Sequence, residues 1–291
     1  MIPPSFDYEA PTSVKEAVAI LGKNPEAKIL AGGQSLIALM KLRLASPEVL
    51  VDINKIEGLG YIKEDDGWLK IGAMTRESDL DASDLVRKKY PLLADTPRVI
   101  ADPLVRNLST LGGNLAHADP ANDHPATMLA YGAELVASGP KGERTIPVED
   151  FFTGPFETSL AQDELLTEIR IPAPDGKSGG AYVKMERKVG DFATAAVAAQ
   201  VKLGNNGVVE QVGIGLTNVG LTPIKATAAE ESLRGKEADQ AAISEAAQLA
   251  SEAAEPEEDP RGSVDYKRAL VKTLTHRAIK AAVGRAQGGK S

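Results

Sequence analysis

Cysteine is absent from all 291 residues. The chain can therefore supply no thiolate to an iron–sulfur cluster, a Cys-type zinc site or a disulfide. Histidine is scarce: His117, His124 and His276 are the only three. No two of them have the helical spacing of a metal-ligating pair such as HExxH. No Ser or Cys nucleophile pattern accompanies them, so His117 and His124 read as loop and helix-start residues rather than catalytic bases. A basic excess is missing too. Thirty-three Lys and Arg stand against 41 Asp and Glu, a formal net charge of -8. Nothing offers the basic stripe that a nucleic-acid partner requires. No run suits a membrane span, and Met1 to Asp7 lacks the basic and apolar regions of a secretion signal. The expected address is the cytoplasm, and redox chemistry is left to an organic cofactor or another subunit.

What is present allows two compact domains, with 43% hydrophobic residues to fill their cores. The first segment reads as α/β. A helix over Val14 to Leu21 follows Thr12 or Ser13 as its cap, and a strand over Lys28 to Ala31 runs into Gly32-Gly33. A helix over Leu36 to Leu44 and a buried strand over Val49 to Ile53 complete the unit. Tyr61 to Lys63 and Trp68 to Gly72 flank a hairpin turn at Glu64-Asp65-Asp66-Gly67. Thr75 and Ser78 open a helical stretch, Pro91 to Val99 continues it, and a helix from Asp123-His124-Pro125 to Tyr131 closes at Gly132. Leu135 to Ser138 and Glu143 to Ile146 read as strands.

The clearest boundary is the proline- and glycine-rich run Ile171 to Gly180. It divides the chain into residues 1–175, in lobes of about 1–57 and 58–175, and residues 176–291. Beyond it, Tyr182 to Lys188, Ala195 to Leu203 and Val208 to Thr217 read as three antiparallel strands. An alanine-rich helical remainder follows, with Val271, Leu274, Ala278 and Ala282 on one stripe of the last helix. The final Gly288 to Ser291 is expected to fray. The fold class is α+β.

Two glycine pairs carry the chemistry: Ala31-Gly32-Gly33-Gln34-Ser35 and Thr110-Leu111-Gly112-Gly113-Asn114. Glycine tolerates positive φ and presents no Cβ, so successive amides can point at an anion. Either pair alone reads as a tight turn. Together, with Ser35, Thr110 and Asn114 as polar companions, they read as a cradle holding a dinucleotide at its pyrophosphate from both sides. Asp123 before His124-Pro125 looks like a helix cap, and can also accept a ribose hydroxyl. Lys184 shares a strand face with Glu186 and Lys188, a solvated face by default. The alternative is a cation near a flavin ring. Gly213-Ile214-Gly215 is followed by Asn218 in an alternating strand, which excludes a Rossmann nicotinamide fingerprint.

From Ile2 to about Arg285 the chain resembles the flavin-carrying medium subunits of the molybdenum hydroxylases, nearest to the carbon monoxide dehydrogenase branch. The resemblance rests on Leu30 to Leu36, on Val105-Arg106-Asn107 leading to Thr110 to Asn114, and on Asp119 to Asp123. Lys184 to Ala193, Gly213 to Val219 and Arg261 to Tyr266 extend it into the second domain. It implies a two-lobed FAD-binding domain of the vanillyl-alcohol-oxidase type, then a small domain of three antiparallel strands plus helices. It implies that Ala31, Gly32, Gly33, Gln34, Ser35 and Leu36, with Thr110, Leu111, Gly112, Gly113 and Asn114, hold FAD at its pyrophosphate. Ile100 and Ala101 would line the adenosine or ring slot, Asp123 would meet the dinucleotide, and Leu166 and Lys184 would contact the flavin. Phe192 would stand near the ring. Gln34 replaces a frequent His, and Phe192 replaces a Tyr of some relatives.

By the same resemblance, a large subunit bears a molybdenum cofactor and a small cysteine-rich one two [2Fe-2S] clusters, as a dimer of heterotrimers (a heterohexamer). This chain would relay electrons to a quinone or NAD-type acceptor, in the cytoplasm or peripherally at the inner membrane face. The alternative is a self-sufficient flavin oxidase or reductase on the same flavin-binding lobes. The absent cysteine, Gln34 and the small second domain count against it.

Overall fold

The structure is a computed structural model that describes residues 2–289. Of the segment expected to fray, Lys290 and Ser291 lie outside the described residues.

The chain opens with β1 (Asp7–Glu9), α1 (Val14–Lys23), β2 (Lys28–Leu30), α2 (Leu36–Lys41) and β3 (Val49–Asp52). Ser13, not Thr12, caps α1 by accepting the Glu16 amide. The three strands form a parallel sheet in the order β1-β3-β2. Strand β1 was not anticipated, because its three residues are all exposed and show no apolar alternation. Helix α2 stops short of Leu44, since Arg43 takes a left-handed φ of 62° that no helix can continue through.

The next lobe builds a five-stranded antiparallel sheet, β4-β5-β10-β6-β7. β4 (Ile62–Asp65) and β5 (Trp68–Gly72) form the expected hairpin, with Asp66 and Gly67 both at positive φ as a tight hairpin turn demands. Then come α3 (Glu77–Ala82), α4 (Asp84–Lys89), α5 (Pro91–Asp95), α6 (Pro103–Arg106), α7 (Leu111–His117) and α8 (His124–Tyr131). Thr75 does not cap α3. Its hydroxyl donates to the Tyr61 carbonyl and accepts the Tyr61 amide, stapling helix entry to the hairpin. The stretch expected to run from Pro91 to Val99 breaks after Asp95, where Pro97 cannot donate, and resumes as one 3₁₀ turn. β6 (Glu134–Gly139), β7 (Gly142–Pro147), the two-strand ribbon β8 (Phe152–Gly154) and β9 (Glu157–Thr158), and β10 (Leu165–Pro172) complete this lobe.

After Ala173 to Gly176 the last sheet begins. β11 (Lys177–Glu186), β12 (Ala193–Leu203) and β13 (Val209–Thr217) are the three expected antiparallel strands, and a two-residue β14 (Ile224–Lys225) adds a fourth. α9 (Thr227–Leu233), α10 (Gln240–Ala253) and α11 (Val264–Ala286) follow. Gly179 and Gly180, read as linker, lie inside β11. A Cβ on Gly179 would strike the backbone of α11 at Ala282 and Ala286, so glycine here lets helix and strand meet.

Both faces of this sheet are covered. α11 and α9 pack on one, with α10 against those two helices, and α5 and α8 on the other. Hence β12 is an almost continuous buried run in which Ala193, Ala195, Ala196, Ala198 and Ala199 admit helices from both sides. Gly213 and Gly215 serve the same end: an added Cβ would collide with the Ala130 and Ala126 carbonyls of α8. The Gly-Ile-Gly run is thus a packing device.

Overpacking of this kind costs about 3 kcal/mol. Gly215→Val should lose about that much unfolding free energy in urea titration. Gly284→Ala, at an open position in α11, should gain about 0.5–1 kcal/mol instead.

Candidate functional site

The first glycine loop turns sharply between β2 and α2, with Gly33 at φ 73°. Among the described residues, the amides of Gly33, Gln34, Ser35 and Leu36 have no protein acceptor. Ser35 makes no capping bond, and Gln34 turns back to donate from Nε2 to the Gly32 carbonyl at 3.0 Å. This row of uncommitted donors can take an anion. Gly32 has a different duty. Its missing Cβ faces the Leu108 carbonyl and Ser109 Cα, so the loop lies directly against the segment entering the second glycine pair.

The second loop corrects the expectation that both loops offer amides. Thr110 Oγ1 caps α7 by accepting the Gly113 amide at 3.1 Å. The Leu111, Gly112 and Asn114 amides donate to the carbonyls of Thr75, Ala73 and Thr110. Gly112 packs on Ala73, and Gly113 faces Thr110 Oγ1 and the Ala31 side chain. What this loop offers is side chains: Ser109 Oγ and Asn114 Oδ1 are buried with no partner.

Beside the loops lies a buried polar cluster. Asn122 Nδ2 donates to the Asn114 carbonyl at 2.8 Å, linking the second loop to Asp123. Asp123 is not the cap of α8, since its side chain makes no capping bond. It accepts Tyr182 Oη at 2.6 Å and Lys184 Nζ at 2.9 Å. Lys184 is not on a solvated face either: its side chain is 3% exposed. Its ammonium also donates to the Val99 carbonyl at 2.9 Å and lies 3.5 Å from Glu186. Burial pushes the Asp123 carboxyl up from its ordinary value, against the pull of Lys184, and pushes the Tyr182 phenol well up.

The Lys184–Val99 bond pins the segment that carries Ile100 and Ala101. Ala101 holds a left-handed φ of 46°, and Gly190 packs so tightly on its backbone that no Cβ would fit. Phe192 stands at the end of that Gly190 loop, 47% exposed. Leu166 shares an apolar core cluster with Leu111 of the second loop. Its side chain is buried in the five-stranded sheet's core. His124 is buried too, with Nε2 2.7 Å from Glu77 Oε2. His117 packs on Phe156, and burial lowers its pKa.

The structure thus brings Ala31 to Leu36 against Thr110 to Asn114, with Asp123, Lys184, Ile100 and Ala101 alongside. Sequence reading missed Ser109, Tyr182 and Gly190. No signal marks Ser109, whereas Tyr182 lies two residues from Lys184 on a strand and so shares its face.

Residues 4–174 match the family described as the FAD binding domain in molybdopterin dehydrogenase, and residues 180–282 the CO dehydrogenase flavoprotein C-terminal domain. The chain is 46% identical to the carbon monoxide dehydrogenase medium chain of Hydrogenophaga pseudoflava over 98% of this chain and 99% of that one. It belongs to the flavin-carrying medium subunits of the molybdenum hydroxylases. As such a medium subunit it carries FAD and is part of an oxidoreductase. It is also 39% identical to the glyceraldehyde dehydrogenase medium chain of Sulfolobus acidocaldarius, covering 96% and 99% of the two chains. The solved structure of the Hydrogenophaga pseudoflava carbon monoxide dehydrogenase superposes with a TM-score of 0.95 at 48% identity, covering 98% of this chain and 99% of that one. The uncommitted amides, and the buried, unpartnered Ser109 Oγ and Asn114 Oδ1, fit such a dinucleotide. Among the described residues no helix is long and apolar enough to cross a membrane, and no cluster has the makings of a metal site.

The Asp123 cluster sets a pH signature. A raised carboxyl pKa favours folding below the ordinary value of 3.8, and that advantage is lost as pH rises through the folded pKa. Removing the ammonium raises the folded pKa further. The stability deficit of Lys184→Met should therefore be small at about pH 4 and widen to about 3–5 kcal/mol by about pH 8. Urea unfolding at the two pH values measures it.

Proposed function

We propose that this medium subunit relays electrons from [2Fe-2S] clusters on a small partner subunit to a quinone or NAD-type acceptor, in an aerobic carbon monoxide dehydrogenase. A large partner would bear the molybdenum cofactor and oxidise the substrate, the assembly being a dimer of heterotrimers in the cytoplasm, at most peripheral to the membrane. The observation that carries this reading is end-to-end similarity to carbon monoxide dehydrogenase medium chains, with identities of 46% and 43%. The row of free amides in the first glycine loop stands in that frame.

In this reading residues 1–175 bind FAD and residues 176–291 complete the site. When bound, FAD supplies a centre that takes electrons singly and gives them up singly or in pairs. The Gly33 to Leu36 amides hold the diphosphate, the direction in which amides at a helix start favour negative charge. Ala31 and Gly32 fix that loop against the Thr110 to Asn114 segment. Ser109 Oγ would add a donor to the diphosphate and Asn114 Oδ1 would accept a sugar or ribityl hydroxyl of the dinucleotide, with Leu111, Gly112 and Gly113 as the packed backbone beneath. Lys184 and Asp123 offset each other's charge 2.9 Å apart, so Lys184 acts chiefly by fixing Val99 and, through it, the Ile100–Ala101 slot. Phe192, half exposed at the end of the Gly190 loop, would stand near the ring. Leu166 supports the sheet behind the slot.

An affinity tag on this chain, in its own host, tests the whole. The expected product is a three-chain assembly with flavin and iron–sulfur absorbance, molybdenum, and bleaching of the flavin band under carbon monoxide. Bleaching by another substrate alone would move the assignment to a different molybdenum hydroxylase. A lone flavoprotein that turns over a small substrate without partners would sink the relay and establish a self-sufficient flavin enzyme.

A further inference from the structure

We propose that Asn54 and Arg76 form a strut that sets the separation of the two glycine loops, and that FAD affinity depends on it. The proposal rests on the reading of those loops as the flavin cradle.

The strut starts just past β3, where the Asn54 amide and Nδ2 both donate to Asp52 Oδ1, at 2.9 and 2.7 Å. Tyr8 Oη holds the other Asp52 oxygen at 2.6 Å. The Asn54 side chain is thereby fixed in direction. Its Nδ2 also donates to the Ala31 carbonyl of the first loop at 2.8 Å. Its Oδ1 accepts Arg76 Nη2 at 2.7 Å. The other arm of the guanidinium, Nη1, donates to the Leu108 carbonyl at the approach to the second loop. Arg76 also faces Thr110 in an isolated β-bridge, in which the Leu111 amide donates to the Thr75 carbonyl and the Glu77 amide to the Ser109 carbonyl. One carbonyl from each loop is thus tied to the other through two side chains, while Gly32 packs on Leu108 and Ser109.

Each residue type is needed for its geometry. A neutral relay between a carbonyl and a guanidinium must donate at one end and accept at the other, as a carboxamide does. The far end needs two diverging donors on a rigid plane, which guanidinium has and ammonium lacks. The strut matters to ligand binding because the polar contacts are split: free amides on one lobe, Ser109 Oγ and Asn114 Oδ1 on the other. A dinucleotide gripped by both binds tightly only if their spacing is fixed beforehand.

The test uses the assembly containing the full chain, stripped of flavin and titrated with FAD by fluorescence quenching. Asn54→Ala and Arg76→Ala should each raise the FAD dissociation constant about tenfold and speed FAD release. The unfolding midpoint of the flavin-free assembly should stay unchanged, since Asn54 is exposed and Arg76 only half-buried. The double variant should be hardly worse than either single one, because the two side chains act as a unit. Arg76→Lys should resemble Arg76→Ala. Full rescue by lysine would overturn the strut and leave a charge effect in its place. Loss of stability matching the loss of affinity in Asn54→Ala would overturn it as well, reducing the pair to scaffolding. Gly33→Val separates this from the underlying reading. If Gly33→Val loses FAD while the strut variants bind normally, only the strut fails; if Gly33→Val also binds normally, the cradle itself is misassigned.

Discussion

A carboxylate removed from water is costly unless a cation and hydrogen-bond donors arrive with it. Asp123 is in that position, and much of the architecture follows from supplying its partners. Tyr182 and Lys184 come from one face of β11, two residues apart, so β11 must dock with that face toward the start of α8. Gly213 and Gly215 let α8 approach the sheet closely enough for the contact. Arg285 at the end of α11 adds a second tie, donating to Asp95 at 2.6 Å and to the Gly180 carbonyl. The same ammonium that matches Asp123 also holds Val99, and so shapes the slot beside the glycine loops.

The two loops look alike in sequence and differ in physics. Gly33 buys a left-handed turn that leaves amides free. Gly112 removes a side chain that would strike Ala73, and the Leu111, Gly112, Gly113 and Asn114 amides are bonded within the protein. One loop is a binding surface made of backbone; the other is a rigid wall that contributes side chains. A dinucleotide between them meets donors on one side and a fixed abutment on the other.

Much of this was legible in residue patterns. The hairpin at Asp66-Gly67, the helix closed by Gly132 and the stripe Val271–Ala282 were read correctly because local rules govern them. Other features depend on partners far along the chain. Lys184 alternates with Glu186 and Lys188 as a solvated face would, and only the distant Asp123 and Val99 make burial tolerable. Gly179 and Gly180 look like linker until α11 lies across them. Asn54 and Arg76 sit in unremarkable surroundings, and their pairing appears only when two lobes are brought together. Glycine pairs announce a constraint without saying whether it is a turn, an open amide or a close approach.

The sheet that α5 and α8 lean on is made last. Asp95 waits for Arg285, 190 residues further along, and at roughly 5–20 residues per second a ribosome needs about 10–40 s to deliver it. For that interval the face of this sheet that α11 covers is turned to water. Newly made chains are thus most vulnerable to aggregation and most in need of chaperones before the last helix emerges. A premature stop before α11 leaves that face bare for good.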